Sequence, residues 1–442
     1  MLAIQTIRDE TDRLRAALEA RRTSAPVDEI LATDESRRGL LVQVESMRKD
    51  RNDASKAIGT AKDNDERQRL IEEQRAVSGR LDALEADLKE AETALDRLLL
   101  QVPNLPHPDV PLGGEADSVV ILDGDGAAGT EHRYDTPIPL AEHSMASATQ
   151  EGIPHWEVGE ATGLIDFERG TKLSGSGFYV LRGDASRLQR ALISWMLDVH
   201  RRQGYGEVYP PFLVREEMLV GTGQLPKFAD TMFHAEGTDL WLIPTAEVPV
   251  TNMYRDEILD GSEGALPVLH TAYTPCFRHE QFSAGRDVRG IKRGFQFDKV
   301  EMVRFEEDDA SWGALEQLLE DALEVVRALG FKYRVLRLAT GDLTFASAMT
   351  YDIEIWAPGA GEWLEVSSVS NFLDFQARRA NLRYRDADGK VRFLHTLNGS
   401  GVALPRTMAT LLESGYLEDG TVEVPSVLHP YLGGEGVLQP AR

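Results

Sequence analysis

The sequence predicts an α+β protein with an antiparallel coiled-coil arm near its N-terminus. Two heptad runs predict the arm. β-prone segments between residues 239 and 370, which do not alternate with helices, predict an antiparallel sheet with flanking helices. A segment with four prolines, from Pro103 to Pro111, separates the two parts. The chain is therefore predicted to divide into an N-terminal domain, residues 1–103, and a larger domain, residues 104–442.

The composition excludes several classes of protein. Hydrophobic residues make up 42% of the chain and charged residues 27%, as in ordinary globular proteins. No run of about 18 apolar residues occurs, so no membrane span is expected. The first residues carry early acids and no apolar core, so neither a secretory signal nor a transit peptide is predicted, and the expected location is the cytoplasm. A single cysteine, Cys276, excludes a disulfide framework and a multi-cysteine zinc site, so no zinc is expected.

The net charge of −25 predicts long-range repulsion of nucleic acid. One segment departs from this acidic average, because residues 48–69 hold seven basic and five acidic side chains. Local patches decide contact, so the acidic total does not exclude a specific nucleic-acid partner.

The arm is predicted as two helices, at about 35–61 and 67–100, joined by a polar turn at residues 62–66. Arg51 and Gln74 interrupt the apolar seam and are candidates for fixing its register. From periodicity alone, such a hairpin favours a dimerisation or spacer element. A hairpin closed on itself has already used its seams, however, so a projecting arm with a contact surface near residue 63 is the alternative. The apolar seam positions, spaced alternately by four and three residues, are Leu40, Val44, Met47, Ala54, Ile58 and Ala61, then Leu70, Val77, Leu81, Leu84, Leu88, Ala91, Leu95 and Leu98.

A GxGxxG pattern at Gly124, Gly126 and Gly129 follows an apolar strand and suggests a dinucleotide site. That fingerprint requires a helix to open at the third glycine. The sequel, TEHRYDTPIPL, has two prolines and no helical period. We interpret the pattern as a surface turn.

The remaining elements follow from periodicity. Apolar positions between residues 186 and 202 predict an amphipathic helix that leads into a Pro-Pro segment. Further helices are predicted at 312–329 and around 408–412, and the segment at residues 396–407 is interpreted as a strand, a glycine turn and a helix start.

The stretch from Arg278 to Glu301, here called the basic hairpin, predicts strand, glycine-containing loop and strand. Arg278 and Glu280 are two residues apart, so on a strand they share a face. An arginine fork clamps a phosphate, and a neighbouring carboxylate holds an amine or a metal ion. A solvated hairpin with scattered charge is the alternative interpretation.

Polar clusters elsewhere in the chain complement this hairpin. Arginines on separate elements are suited to hold the ends of a triphosphate, carboxylates to bridge to Mg²⁺, and hydroxyl, amide and carboxylate groups to bind a small polar substrate. No Ser-His-acid arrangement, HExxH or P-loop is present, so catalysis is expected to be positional and electrostatic. The clusters are Thr245 to Glu247; Arg278, Glu280, Arg293 and Glu301; Glu365 and Ser368; and Asn398, Ser400 and Arg406.

Taken in order, the arm, TAEVPVTN, FRHE, GRDVRG, EVSSVSNFLDFQARR and HTLNGSGVALPRT resemble class II aminoacyl-tRNA synthetases, specifically the bacterial seryl-tRNA synthetase family. The resemblance covers nearly the whole chain. It implies a tRNA-binding domain at residues 1–103 and a class II catalytic domain at 104–442. The helix at 186–202 with its Pro-Pro segment is similar to the family's dimer-forming motif, so a homodimer is expected.

The resemblance implies that the protein activates L-serine with ATP and Mg²⁺ to seryl-adenylate and then esterifies tRNA(Ser). Serine charging of tRNA(Sec) is a further expectation. The arm and the loop of the basic hairpin (the family's motif 2 loop, with Arg286, Arg289 and Lys292) are expected to contact the tRNA. Two other readings stay open: a synthetase-like paralogue that activates an amino acid for a non-tRNA acceptor, and a coiled-coil interaction protein with an inactive body. The heptads and the charged residues that are kept favour an active synthetase of this family over both alternatives.

The resemblance also implies a role for each site residue. Arg278, Glu280 and Arg406 are the expected catalytic residues, and Glu365 with Ser368 is expected to hold Mg²⁺. The expected ATP-binding set is Arg278, His279, Glu280, Arg293, Phe297, Glu365, Val366, Ser367, Ser368 and Arg406. The expected serine-binding set is Thr245, Ala246, Glu247, Arg278, Glu301, Asn398 and Ser400.

Two short segments depart from the family pattern. Residues 279–282 read His-Glu-Gln-Phe where the family usually has Ser-Glu-Ala-Gly. Residues 295–297 read Phe-Gln-Phe where His-Gln-Phe is usual. These departures are expected to alter the walls near the nucleotide and the loop that meets the acceptor end.

Overall fold

The computed structural model describes residues 1–126, 129–140, 152–261, 264–280 and 289–441. The chain forms two compact units. One consists of Met1–Glu19 and Thr23–Pro103, and the other of Ala20–Arg22 and Asn104–Arg442.

The N-terminal unit is helical. Its helices are α1 Ile4–Asp9, α2 Thr11–Ala20, α3 Val27–Thr60 and α4 Asn64–Leu99. Helices α3 and α4 form a long antiparallel hairpin, as predicted. Helix α3 begins at Val27, directly after Pro26, rather than near residue 35. The earlier start has a packing cause, because Val27, Ile30 and Asp34 are already buried.

The arm is held together by an apolar seam. Val44 and Leu81 are fully buried, and Leu40, Met47 and Leu84 pack against them. Burying such side chains contributes roughly 1.5–3 kcal/mol each. Gln74 interrupts the seam with a specific contact, because its amide donates across the hairpin to Ser55 Oγ at 2.5 Å. A polar contact of this kind opposes a slip in register.

Three basic residues of the arm are paired with carboxylates of the arm. Arg48 lies 2.8 Å from Glu85 across the hairpin. Lys56 pairs with Asp53 at 3.7 Å along α3. Arg69 pairs with Glu73 along α4 at 3.8 Å. These pairs are exposed, so each adds at most about 1 kcal/mol, and the apolar seam supplies most of the stability.

The second unit is built on a nine-stranded sheet in the order β2-β1-β11-β12-β13-β16-β10-β9-β5. All neighbours are antiparallel except β5 and β9, as expected for an α+β fold. In chain order, the strands are β1 Val119–Asp125, β2 Thr130–Pro139, β3 Ile165–Asp166, β4 Val180–Leu181, β5 Gly206–Glu207, β6 Leu213–Arg215, β7 Leu240–Leu242, β8 Ile258–Asp260, β9 Val268–Phe277, β10 Gln296–Glu306, β11 Lys332–Arg337, β12 Met349–Ala357, β13 Glu362–Leu373, β14 Arg383–Arg385, β15 Val391–Phe393, β16 His395–Ala403, β17 Val422–Glu423 and β18 Val437–Leu438.

The helices of this unit flank the sheet. In chain order they are α5 His155–Thr162, α6 Phe167–Ser174, α7 Asp184–Arg202, α8 Glu216–Thr222, α9 Glu247–Asn252, α10 Ser311–Ala328, α11 Phe375–Ala380 and α12 Leu404–Gly415. Helix α10 packs on β16 and β13, and α12 packs on β10, β12 and β13. The predicted amphipathic helix is α7, and its predicted apolar positions are buried in the main core. Helix α12 extends well beyond the predicted 408–412, with Pro405 in its first turn, where proline fits without loss of a hydrogen bond.

The glycine pattern at 124–129 begins at Gly124, within β1, and ends at Gly129, directly before the antiparallel strand β2. The residues after Gly129 form a strand rather than a helix, which agrees with the interpretation as a turn between strands. Ala127 and Ala128 lie outside the described residues.

The segment NGSG does not form the predicted turn. Residues 398–401 continue strand β16. Glycine serves close packing here, because a Cβ on Gly401 would lie 2.1 Å from His200 Nε2. Val402 follows with φ of +102°, an uncommon conformation for a β-branched residue. The strand therefore reaches the start of α12 through tightly packed, locally strained backbone.

Among the described residues, no helix is both long enough and apolar enough to cross a membrane.

Asp34 is the buried charge of the N-terminal unit. Arg8, Arg37 and Arg38 donate to its carboxylate at 3.1, 2.9 and 3.0 Å. Burial acts to raise the pKa of Asp34, but the hydrogen bond and charge of Arg37, with the charges of Arg8 and Arg38, outweigh it and lower the pKa. The carboxylate thus joins α1 to the base of α3.

We predict that Asp34→Asn destabilises α1 and α3 at pH 7 by about 1–2 kcal/mol, because the three guanidinium groups lose a charged acceptor. Since the folded-state pKa is lowered, this stabilisation is complete above about pH 4 and is lost as the pH falls through the folded pKa. The difference between wild type and variant should therefore shrink in acid. Hydrogen exchange of α1 and α3 peptides at pH 7 and pH 3.5 measures it. Asp28→Asn is the control, since exposed Asp28 pairs with Arg15 alone, and equal effects of the two substitutions would contradict the prediction.

Candidate active site

Several of the predicted serine-binding residues meet around one buried carboxylate, Glu301 of β10. Asn398 donates to its Oε1 at 2.8 Å, and Thr245 donates to its Oε2 at 3.2 Å. The Lys299 ammonium pairs with the same Oε2. Glu301 lies opposite Ser400 in the β10–β16 register. Strand pairing thus places Asn398 and Ser400 beside the carboxylate.

Glu247 is a second buried carboxylate close to the first. The amide of Asn398 bridges the two, because it also donates to Glu247 Oε2 at 3.2 Å. Gln376 donates to Glu247 Oε1 at 2.6 Å. Burial and the negative charge of Glu301 raise the pKa of Glu247 to about 7, against the opposing hydrogen bond from Gln376. A cationic group bound between these carboxylates would relieve their repulsion.

The segment Thr245-Ala246-Glu247 lies where strand β7 has ended and short helix α9 begins. The Thr245 hydroxyl accepts a hydrogen bond from the Glu247 amide at 3.3 Å. It also accepts from the Lys299 ammonium at 2.9 Å. Ala246 is fully buried beneath the segment. Local hydrogen bonding therefore fixes the positions of Thr245 and Glu247, and Ala246 is packed between them.

Arg278 lies next to this pocket and is exposed. Its Nε donates to the carbonyl of Pro244 at 3.2 Å, one residue before Thr245. Its guanidinium carbon lies 5.1 Å from the ring centre of Phe297. A guanidinium and an aromatic face are thereby held side by side at the end of β9 and the start of β10.

Glu280 and Arg293 join the two sides of the basic hairpin. Their closest atoms are 2.6 Å apart, and both side chains reach solvent. The charges of this pair remain accessible to an incoming ligand.

Arg406, in the first turn of α12, is a second arginine of the site, and its side chain is partly exposed. Its Nη1 donates to the carbonyl of Glu365 at 2.5 Å and lies 3.3 Å from the Glu365 carboxylate. Its Nε donates to the carbonyl of Lys292 at 3.4 Å. Arg406 therefore joins β13 to the basic hairpin, as expected for residues of one site.

The segment 365–368 on β13 is buried at its two central residues and partly exposed at its two ends. Val366 and Ser367 are buried, and the Ser367 hydroxyl donates to the carbonyl of Ser400 at 2.6 Å. Ser368 lies opposite Asp352 in the β12–β13 register. Glu365 and Ser368 are partly exposed.

These residues suit a Mg²⁺ ion that arrives with a nucleotide. Burial, and then the charge of Glu365, raise the pKa of Asp352 well above its ordinary value, although a hydrogen bond with Ser368 opposes the shift. One oxygen of Asp352 is buried without a hydrogen-bond partner. Within the described residues, no three His, Cys, Asp or Glu side chains are grouped as metal ligands. Mg²⁺ usually keeps phosphate and water oxygens as most of its ligands, so one or two protein oxygens would be sufficient to hold it.

The two departures from the family pattern contact each other. His279 stacks on Phe295, with ring centres 5.7 Å apart. Phe295 also stacks on Phe178 at 5.5 Å and meets Phe233 edge-on. The backbone amide of His279 donates to Thr231 at 2.8 Å. The substitutions therefore build one aromatic cluster beside the site; Gln281 and Phe282 lie outside the described residues.

The loop cations differ in accessibility. Arg289 is exposed. Lys292, in contrast, has an almost buried side chain that pairs with Glu362. The expectation that Lys292 contacts a tRNA acceptor end stays a prediction, and in the structure its ammonium is already paired. Arg286 lies outside the described residues.

Three residues of the site were not predicted. Lys299 carried a detectable signal in the sequence, because it lies two residues from Phe297 and two from Glu301. On a strand, this spacing places all three side chains on the same face. Gln376 and Asp352 carried none, since their contacts with Glu247 and Ser368 depend on long-range packing and on the register of β12 with β13.

Comparison with known proteins agrees with this geometry. Residues 1–106 match the model of the seryl-tRNA synthetase N-terminal domain. Residues 231–415 match the model of the class II tRNA synthetase core domain for G, H, P, S and T. The serine–tRNA ligase of Thermomicrobium roseum is 53% identical over 98% of this chain and 94% of its own length. That of Chloroflexus aurantiacus is 53% identical over 98% and 99%.

A solved structure extends the match to three dimensions. Seryl-tRNA synthetase from Pyrococcus horikoshii, crystallised with ATP, is 35% identical, covers 100% of both chains and has a TM-score of 0.88. The fold class predicted from the sequence is thereby confirmed. With a fold and a sequence that match along almost their entire length, the chain belongs to the seryl-tRNA synthetase family.

Proposed function

We propose that the chain forms seryl-adenylate from L-serine and ATP and then transfers the seryl group to the 3′ end of tRNA(Ser). The observation that carries this proposal is the buried pair Glu247 and Glu301, bridged by Asn398 and adjacent to exposed Arg278. Relatives named serine–tRNA ligase, at up to 53% identity, support the same activity.

Serine offers three groups to this pocket. Its ammonium is attracted by the two carboxylates, whose mutual repulsion it relieves. Its hydroxyl finds hydrogen-bonding partners among Thr245, Asn398, Ser400 and the carboxylates. Alanine would leave such buried partners unsatisfied, and a site built for a hydroxyl rejects the analogue that lacks it by about 10⁴–10⁵. Arg278 is suited to the serine carboxylate and the α-phosphate together, since a guanidinium donates in a fork.

The proposed ATP subsite is built from residues around Arg278. Phe297 presents an aromatic face for adenine, and Arg406 stands at the γ-phosphate end. Glu280 and Arg293, with His279 beside them, line the hairpin side, and residues 365–368 line the β13 side. In the adenylation step, a serine carboxylate oxygen bonds to the α-phosphorus while the bond to pyrophosphate breaks. Arginines placed at that phosphate stabilise the charge that develops.

Glu365 and Ser368 would hold Mg²⁺, whose charge neutralises the phosphates when it is bound. No protein nucleophile is needed, because the substrate carboxylate itself attacks. The chain's own residues therefore act by holding two substrates in line.

We further propose that the arm and the loop of the basic hairpin bind tRNA(Ser), with tRNA(Sec) as a second serine acceptor. The match of residues 1–106 to the family's N-terminal domain supports a tRNA-binding role for this unit. A homodimer is proposed from the similarity of α7 and the Pro-Pro segment to the family's dimer-forming motif. Tyr209 and Leu213, which flank that segment, are unusually exposed for their type. A cytoplasmic location completes the proposal.

The activity is tested by amino-acid-dependent exchange of pyrophosphate into ATP, followed by charging of tRNA(Ser). Exchange should depend on serine, fall by at least about 10³-fold with alanine, and be followed by esterification of the tRNA. Exchange with serine without any charging would favour a paralogue with a non-tRNA acceptor. Absence of exchange with every amino acid would favour an inactive, coiled-coil interaction protein.

We predict that the arm is needed for charging of tRNA(Ser) but not for formation of the adenylate. Replacing residues 40–98 by a short glycine-serine bridge should leave serine-dependent exchange within about threefold of wild type, because the residues of the proposed adenylation site lie in the second unit. Charging of tRNA(Ser) should become undetectable. Full charging by the shortened chain would show that the arm is not the tRNA-binding element.

We predict a pH dependence of serine binding that Glu247→Gln removes. The pKa of Glu247 is raised to about 7. The carboxyl is therefore neutral below that pH and loses its attraction for the serine ammonium, so the KM for serine in pyrophosphate exchange should rise as the pH falls from 8 to 6. Glu247→Gln should raise KM at pH 8 by about 10–100-fold, the size of one charged hydrogen bond, and should flatten the profile. A profile in the variant as steep as that of wild type would assign the titration to another group.

A further inference from the structure

We propose that His155, which belongs to neither substrate pocket, is a positioning residue for ATP because it holds the return side of the basic hairpin. This inference rests on the proposed function and deepens it. The residue lies at the start of α5, and its side chain is completely buried.

The hydrogen bonds of His155 determine which of its ring nitrogens carries the proton. Its Nδ1 lies 2.7 Å from Glu413 Oε1, which also accepts the His155 backbone amide at 3.1 Å. The other Glu413 oxygen accepts the amides of Gly359 and Ala360 at 2.9 and 3.1 Å. A carboxylate that accepts from every neighbour needs a donor at Nδ1, so Nε2 is left with a free lone pair.

That lone pair meets the basic hairpin. The backbone amide of Ile291 donates to His155 Nε2 at 3.2 Å. The preceding residue, Gly290, has φ of +85°, and a Cβ there would lie 1.9 Å from the same nitrogen. The hairpin thus approaches the imidazole so closely that only glycine fits.

The residues after Ile291 reach the nucleotide site. The carbonyl of Lys292 accepts from Arg406, and Arg293 pairs with Glu280. Arg406 and Glu413 lie on the same helix, α12. The helix therefore fixes the hairpin twice, directly through Arg406 and indirectly through Glu413 and His155. Loss of the Ile291 hydrogen bond would release residues 289–293 and misplace both arginine contacts on the ATP side, while the serine carboxylates stay anchored in the sheet.

Two substitutions separate this role from a purely structural one. Glutamine at position 155 places an amide oxygen close to the position of Nε2 and keeps an acceptor for Ile291. Asparagine places an amide nitrogen close to the position of Nδ1 and keeps the donor to Glu413. Both variants lose one of two buried hydrogen bonds, so a structural role predicts similar losses of stability and similar kinetics.

We expect His155→Asn to raise the KM for ATP in serine-dependent exchange about tenfold, the size of one hydrogen bond, with the KM for serine changed less than threefold. His155→Gln should stay within about threefold for ATP. Peptides covering residues 289–293 should exchange amide hydrogen faster in the asparagine variant alone. An equal KM for ATP in the two variants, with only the unfolding temperature changed, would overturn the inference.

A second pair of variants keeps the test decisive if both histidine variants fail to fold. Gly290→Ala pushes a methyl group into the imidazole and should raise the KM for ATP in the same way. Gly389→Ala is its matched control, because Gly389 has φ of +79° but open space around it. Similar KM values for ATP in these two variants would also overturn the inference.

Equilibrium binding of ATP alone, measured by calorimetry, separates this inference from the proposed function. Absence of serine-dependent exchange in wild type would refute the proposed function. The difference in ATP affinity between the glutamine and asparagine variants would still decide the role of His155.

Discussion

Two carboxylates buried next to each other, Glu247 and Glu301, are the constraint to which the rest of the site responds. Each buried ion costs several kcal/mol of hydration, and their repulsion adds to that cost. The donors that offset it come from separate elements: Lys299 from β10, Asn398 from β16, and Gln376 from α11. A one-residue slip of β16 would turn Asn398 to the other face of the sheet. The pocket therefore requires an exact strand register.

Local patterns were sufficient for the fold. The heptads of α3 and α4 and the apolar period of α7 predict helices because each buries one continuous stripe. The return strand of the basic hairpin was predictable because apolar and polar residues alternate from Phe295 to Asp298, before β10 enters the core. Glycine misled the prediction at 398–401, where it serves close packing against His200 rather than a turn. Glycine can therefore mark either a turn or a closely packed strand. Which of the two applies depends on a residue that is distant in the sequence, here His200.

The site was predictable where chemistry concentrates in short segments and not where it depends on single distant contacts. Glu301 and Arg278 stand in one hairpin, so their charges are visible together in the sequence. Gln376 touches Glu247 from 129 positions away, and His155 reaches Ile291 from 136 positions away. Buried polar residues of this kind have no periodicity of their own. The roles of such residues can be assigned only when the structure shows which buried polar group each of them satisfies.

The ion pairs along the arm affect how its binding to a polyanion would depend on salt. Arg48, Lys56 and Arg69 already face Glu85, Asp53 and Glu73. A phosphate that approaches any of these cations displaces a carboxylate and not only a mobile counterion. Fewer counterions are then released per contact, so affinity for a polyanion should depend on salt more weakly than the number of arm cations suggests. The net charge of −25 also weakens this salt dependence. At low ionic strength its repulsion of a polyanion is unscreened, so binding gains less from the removal of salt. Under the proposed function, the shape of the RNA would then contribute more to selectivity than charge does.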